Sequence, residues 1–306
     1  MGKTAEISGA QPVCPGPHIY VTPDDRLQKI FDEAAPGSVI HLSPGVYRQK
    51  TVIRTPDLTV VGAGADKSRI VFDDYARKRM PDGFEYITFR SYTLAVCAEN
   101  IRMENLSVIN DAGSPEVKGQ QIALTVYATG FEMKNCRLSS TQDTLFLGPL
   151  PPDLTERYEG FLPDELRLGG NMTQRFENCL IEGTVDFIFG CGDTLFDRCE
   201  IRSLGDNRGI GYIAAPAHSR EQDRGLVFSH CDLTCAEEVS PGSVWLARPW
   251  RDYGLCSFEN CTCGAHIAAE GFINWPGTGR DKTARFHETP PRPGRVTWAN
   301  REREEA

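Results

Sequence analysis

Two aspartates stand where they could act on one bond. Asp143 lies in STQDTLF (140–146) and Asp186 in GTVDFIFG (183–190). Asp186 interrupts an apolar run, and burying a carboxylate there costs free energy unless something uses it. Each aspartate follows a cysteine by seven residues, Cys136 and Cys179 respectively. If the two segments stack as neighbouring strands, about 4.7–4.9 Å apart, the carboxyl groups sit close together. Two carboxyls that near cannot both ionise freely, so one serves as acid and the other as base or nucleophile. Asp206 follows Cys199 by the same interval, and a turn also favours aspartate, so a turn-capping role competes with catalysis on spacing alone. Gln142 precedes Asp143, and Gln120 lies 22 residues earlier. Glutamine amides donate hydrogen bonds without carrying charge, which suits a developing oxyanion.

The elements that must position these groups are legible as a repeat. MENLSV, MKNCRL, FENCLI, FDRCEI, FSHCDL and FENCTC begin at Met103, Met133, Phe176, Phe196, Phe228 and Phe258. Each alternates as a strand does. Their fourth positions are Leu106, Cys136, Cys179, Cys199, Cys231 and Cys261, separated by 30, 43, 20, 32 and 30 residues. Such self-similarity without helical patterns predicts an all-β parallel β-helix, a solenoid, with five of the cysteines in a buried, reduced column. An open solenoid end needs a cover. TPDDRLQKIFDEAAPG predicts an N-terminal capping helix, with Thr22 as N-cap, Pro23 at the first helical position, and Leu27, Ile30, Phe31 and Ala34 on one face. The longest interval carries a Pro- and Gly-rich surplus, 147–170, expected to leave the coil as a wall beside the site. The expected organisation is an N-terminal extension over 1–17, one β-helix domain over 18–299 and a charged tail over 300–306.

Composition narrows the function classes. The chain has 306 residues, 40% of them hydrophobic, and a formal charge of −9. No basic cluster predicts a nucleic-acid partner. No apolar run is long enough to span a bilayer. The eleven cysteines and six histidines show no zinc spacing, so neither metal nor cofactor is expected. There is no G-x-S-x-G for a serine esterase. The N-terminus shows no apolar h-region, which predicts a cytoplasmic protein, or a secreted one if a leader was removed. A monomer is expected. A retaining glycosidase would also use two close carboxylates, but the paired glutamines argue against it. A binding solenoid would need neither aspartate.

STQDTLF, GTVDFIFG and LARPW (246–250) together resemble the signature segments of the pectin methylesterases, or pectinesterases. APGSVIHLSPGVYRQKTVI with LTVVGAG resembles that family's N-terminal coils, and TFRSYTLAVCAENIRMENLSVINDAG followed by GQQIALTV resembles the stretch leading to its first active-site Gln. The resemblance runs over roughly 18–299 and implies a right-handed parallel β-helix. It implies Asp186 as nucleophile, Asp143 as general acid/base, Gln142 and Gln120 as the oxyanion hole, and Arg248 beside Asp186. Trp250, Arg248 and Phe187 would then meet the substrate. That substrate would be the methyl-esterified galacturonate of pectin or oligogalacturonides. Arg248 is expected to hold Asp186 ionised. Phe146, Ala214 and Ala247 depart from the usual Tyr, Thr and Gly.

Overall fold

The computed structural model describes residues 16–167 and 170–300. Most of the expected extension and all of the tail beyond Asn300 lie outside them. Three sheets of ten, seven and eight strands, all paired in parallel, wrap one continuous core. A typical coil contributes one strand to each sheet: Phe131–Lys134, Arg137–Ser139 and Leu145–Leu147. The next coil repeats the order with Thr173–Glu177, Leu180–Gly183 and Val185–Gly190. Returning parallel to the same sheet makes each coil a parallel crossover, for which the right-handed path is the rule.

The repeated words are in register. Met103 pairs with Met133, Met133 with Phe176, Phe176 with Phe196, Phe196 with Phe228 and Phe228 with Phe258. Their rings stack inside the solenoid, with centroids 5.0, 4.6 and 4.4 Å apart along Phe176–Phe196–Phe228–Phe258. Each such pair adds about 0.5–1.5 kcal/mol beyond its burial. One residue then turns the chain into the next sheet. Asn105, Asn135, Asn178, Arg198, His230 and Asn260 all take positive φ, between 52° and 57°. Asparagine tolerates this left-handed conformation better than most residues, which accounts for the recurring Asn before the fourth position.

The fourth-position cysteines are buried and unpaired. Cys179, Cys199, Cys231 and Cys261 each direct Sγ at a carbonyl of the preceding coil, 3.3–3.6 Å away. The thiols of Cys136, Cys199 and Cys231 are pushed up to about 12, by burial at Cys136 and chiefly by neighbouring thiols at the other two. Protonated thiols in such a column are packing groups rather than nucleophiles.

The N-terminal helix starts later than its sequence predicts, at Leu27 rather than Pro23, and ends at Glu33. The Asp25 carboxylate accepts from the Thr22 backbone N–H and from its hydroxyl, both at 2.8 Å. That local turn competes with helix for residues 22–26. Leu27 and Phe31 enter the core, and Ile30 packs against it. Gln28 pairs with the edge strand Thr51–Ile53 as another strand would: Nε2 donates to the Val52 carbonyl at 2.9 Å, and Oε1 accepts from its N–H at 2.8 Å. At the other end Asn300 belongs to the folded domain, not the tail. Its N–H donates to the Phe286 carbonyl at 2.8 Å.

One buried histidine makes the fold acid-sensitive. His218 is 1% exposed. Its Nε2 lies 3.1 Å from the Gly192 carbonyl, and its Nδ1 accepts from the Leu255 N–H at 3.3 Å. Those backbone partners fit only the neutral imidazole protonated at Nε2. Burial pulls its pKa down to about 4, against 6.5 for a free side chain. The unfolded chain therefore binds the proton first. The contribution is complete above about pH 6.5 and is lost as pH falls towards 4. It amounts to about 3 kcal/mol. Urea unfolding at pH 7.0 and 4.5 is expected to show this loss in the native protein and a much smaller one in His218→Gln.

Candidate active site

The site lies on the outer face of the seven-stranded sheet. Asp143 and Asp186 occupy adjoining coils, as the register predicts. The Asp143 N–H donates to the Val185 carbonyl at 3.1 Å, and the Gln121 N–H to the Gln142 carbonyl at 3.0 Å. Gln120, Gln142 with Asp143, and Asp186 thus rise through three successive coils. Both aspartates sit at positive φ, 65° for Asp143 and 49° for Asp186. A short polar side chain is among the few besides glycine that accept this conformation.

The local shape of GTVDFIFG explains where Asp186 points. Pairing with strand Gly211–Pro216 runs Val185 to Tyr212 and then Ile188 to Ala214, so two residues oppose one. This bulge breaks the in–out alternation. Asp186 is left facing the cleft, and Phe187 turns into the main core, fully buried. Phe187 therefore does not line the site, which corrects the expected substrate contact. Phe189 lines it instead. Two glycines permit the bend. A Cβ on Gly183 would stand 2.2 Å from Phe187 Cβ, and one on Gly190 2.0 Å from the Leu147 carbonyl oxygen.

Arg248 grips Asp186 with two bonds, Nε to Oδ1 at 2.8 Å and Nη2 to Oδ2 at 2.6 Å. Its guanidinium lies between the Tyr212 ring, 3.8 Å to centroid, and the Trp275 ring, 4.2 Å. A guanidinium so clamped is pre-organised, and lysine could not copy it. The pKa directions differ from expectation in one respect. Burial pushes Asp186 above the ordinary carboxylate range, and the pull of Arg248 offsets only part of this. Burial also drives Asp143 well above that range, reinforced by the Asp186 charge. Asp143 is the member that keeps its proton, and Asp186, with the guanidinium on both oxygens, is the one that ionises. Replacing Arg248 by Lys is expected to raise the Asp186 pKa further. Less of it is then ionised at a given pH, so the acid limb of kcat/KM moves to higher pH. A pH–rate profile of Arg248→Lys checks this.

The cavity over these groups has a volume of about 500 Å³ and includes Gln120, Gln142, Trp250 and Trp275 in its wall. The surplus segment supplies part of that wall, as expected, through Asp153, Leu154, Arg157 and Tyr158. It is held by a small second core outside the solenoid. Leu150, Leu154, Leu162 and Leu166 pack there with Phe89, Phe146 and Phe189, and Trp250 joins at the edge. Arg251 latches the segment, its Nε and Nη2 donating to Asp153 at 3.0 and 2.8 Å. Phe146, one of the departures, packs edge-on and tilted among these rings, and Ala214 and Ala247 face the main core. Ala214 meets a partner of the carboxylates through its backbone, its carbonyl accepting from the Arg248 N–H at 3.0 Å.

Sequence reasoning missed Trp275, Tyr212 and Arg208. Trp275 and Tyr212 carry no repeat signal, because they meet Arg248 only through the fold. Among the described residues no group of three or more His, Cys, Asp or Glu is placed to hold a metal ion.

Comparison with known proteins now decides the family. A family model described as pectinesterase matches residues 16–148 and 168–302. The chain belongs to the pectinesterase family. The break in the match, 149–167, falls on the segment that walls the cavity. Curated relatives include pectinesterase QRT1 of Arabidopsis thaliana, 27% identical over 97% of this chain and 70% of that protein. Pectinesterase 31 of the same plant is 29% identical over 82% of this chain and 72% of that one. Among solved structures, pectin methylesterase from carrot superposes with a TM-score of 0.76 at 22% identity, covering 95% of this chain and 91% of the other. That likeness shows the shared right-handed parallel β-helix. As a pectinesterase-family member the chain is a carboxylic ester hydrolase. Among the described residues, no helix is long and apolar enough to cross a membrane.

Proposed function

We propose that this pectinesterase-family enzyme removes methyl esters from galacturonate units of pectin or oligogalacturonides. Asp186 is the nucleophile. The observation that carries the reading is the division of labour between two buried carboxyls in one cavity: Asp186 under a clamped guanidinium, Asp143 driven towards its neutral form.

Each Asp186 oxygen keeps a lone-pair direction beyond its bond to Arg248. One oxygen attacks the ester carbonyl carbon. The carbonyl oxygen becomes an oxyanion, met by the amide N–H groups of Gln142 and Gln120. When the tetrahedral intermediate collapses, the carbon–methoxy bond breaks and Asp143 protonates the departing methoxide to methanol. The acyl group remains on Asp186 as an anhydride. Asp143, now a carboxylate, takes a proton from water, and the hydroxide adds to the acyl carbon. Collapse restores the Asp186 carboxylate and frees the galacturonic acid, which loses its proton to solvent. Trp250, half-buried and edge-on to Phe189 at 5.6 Å, offers an apolar face to a sugar ring. Arg248 Nη1, not used on Asp186, remains for a substrate oxygen.

The protein's curated relatives are plant pectinesterases, and pectin lies outside the plasma membrane. The secreted location therefore fits better than the cytoplasmic one. The test is methanol release from a methyl-esterified oligogalacturonide of defined length, with product length followed by mass spectrometry. Stoichiometric methanol with unchanged chain length supports the reading. Chain shortening would assign a glycosidase or lyase instead.

A further inference from the structure

Resting on that ester hydrolysis, we propose that Arg208 is a positioning residue. It holds the Gln142 amide so that its NH2 end, and not its carbonyl end, faces the reacting ester.

A glutamine amide has two ends of nearly equal size. Only the nitrogen end stabilises an oxyanion, and the oxygen end opposes it. Something must therefore break the symmetry. Arg208 Nη1 donates to Gln142 Oε1 at 3.2 Å. A guanidinium has donors only, so it can engage only the oxygen end. The NH2 group is left on the cavity side, where it also donates towards the Asp143 carboxyl.

Arg208 is itself fixed. Asp206 Oδ1 accepts from the Arg208 N–H at 2.8 Å, and Oδ2 accepts from Nε at 2.9 Å and also from Nη2. The Asp206 side chain is 5% exposed. The Gly209 N–H closes the turn on the Asp206 carbonyl at 3.1 Å. This is the third aspartate of the seven-residue register. It neither attacks nor protonates here; it anchors the arginine. The same turn reaches the other glutamine's loop. Asn207 Nδ2 donates to Glu116 Oε2 at 2.9 Å, and Glu116 lies in the short helix Pro115–Lys118 that leads to Gln120. One turn thus holds the Gln142 amide directly and contacts the helix that leads to Gln120. The Arg208 charge also pulls both catalytic carboxyls down.

The test compares Arg208→Ala, Arg208→Lys, Gln142→Ala and the double variant Arg208→Ala/Gln142→Ala, by kcat, KM and pH profile for methanol release. Arg208→Ala is expected to lower kcat about tenfold, the scale of one hydrogen bond to a charged group, with KM within about twofold. Its acid limb moves to higher pH. Arg208→Lys, which keeps the charge and one donor, falls between. Gln142→Ala loses about 10²–10³-fold, and adding Arg208→Ala to it costs less than about twofold more. Equal losses in both backgrounds overturn the proposal. So does a rise in KM at unchanged kcat, which would make Arg208 a contact for substrate. A wild type that releases no methanol would sink the hydrolase reading itself, and the proposal with it.

Discussion

Asp186→Asn is expected to lower methanol release by about 10⁴–10⁶-fold while leaving a folded protein. The size follows from what the carboxylate does. With Asp186 as the proposed nucleophile, its removal leaves only the proposed oxyanion donors and binding, and losses of that order are typical. Survival of the fold follows from the geometry. Asparagine accepts the positive φ of 49° at this position. Its amide oxygen can keep one of the two bonds from Arg248, and the guanidinium remains between Tyr212 and Trp275. Single-turnover kinetics with near-ultraviolet circular dichroism check both halves. Release within about tenfold of wild type would show that the attack comes from elsewhere.

Asp143→Asn is the second large effect. Loss of a positioned acid and base typically costs about 10²–10⁴-fold. Asparagine cannot protonate departing methoxide, nor take a proton from water, so both half-reactions slow. The basic limb of the wild-type profile reports ionisation of Asp143, which burial and the Asp186 charge push well above the ordinary carboxylate range. In the variant that limb disappears, while the acid limb, set by Asp186, stays. Its position is unchanged, because Asp143 is already neutral when Asp186 ionises. A pH–rate profile of both proteins decides this. A basic limb surviving in Asp143→Asn would assign the acid to another group.

The sequence was informative wherever a residue's role depends on the coil repeat. The words from MENLSV to FENCTC placed the strand register, the cysteine column and the adjoining coils of Asp143 and Asp186, because a solenoid converts sequence interval into height. The same interval offered Asp206 as a third candidate and could not separate it from the other two. The fold does: Asp206 turns back on its own loop and on Arg208. Phe187 fails for a related reason. The resemblance alone put it at the substrate, whereas it follows cleft-facing Asp186 by one residue and its ring turns to the opposite, inner face. The helix start was misplaced because the Thr22–Asp25 turn satisfies locally the same groups a helix cap would.

The sequence by itself determined the architecture, the family and the placing of the two aspartates beside their glutamines on adjoining coils, since each is written in a local motif or a fixed interval. The tertiary structure alone decided the electrostatics. Burial raises both carboxyls and outweighs Arg248 at Asp186. Tyr212 and Trp275 clamp that arginine from strands and loops distant in the chain, and Arg208 reaches Gln142 across 66 residues. Desolvation and long-range pairing depend on what lies around a group in space, and no interval along the chain encodes them.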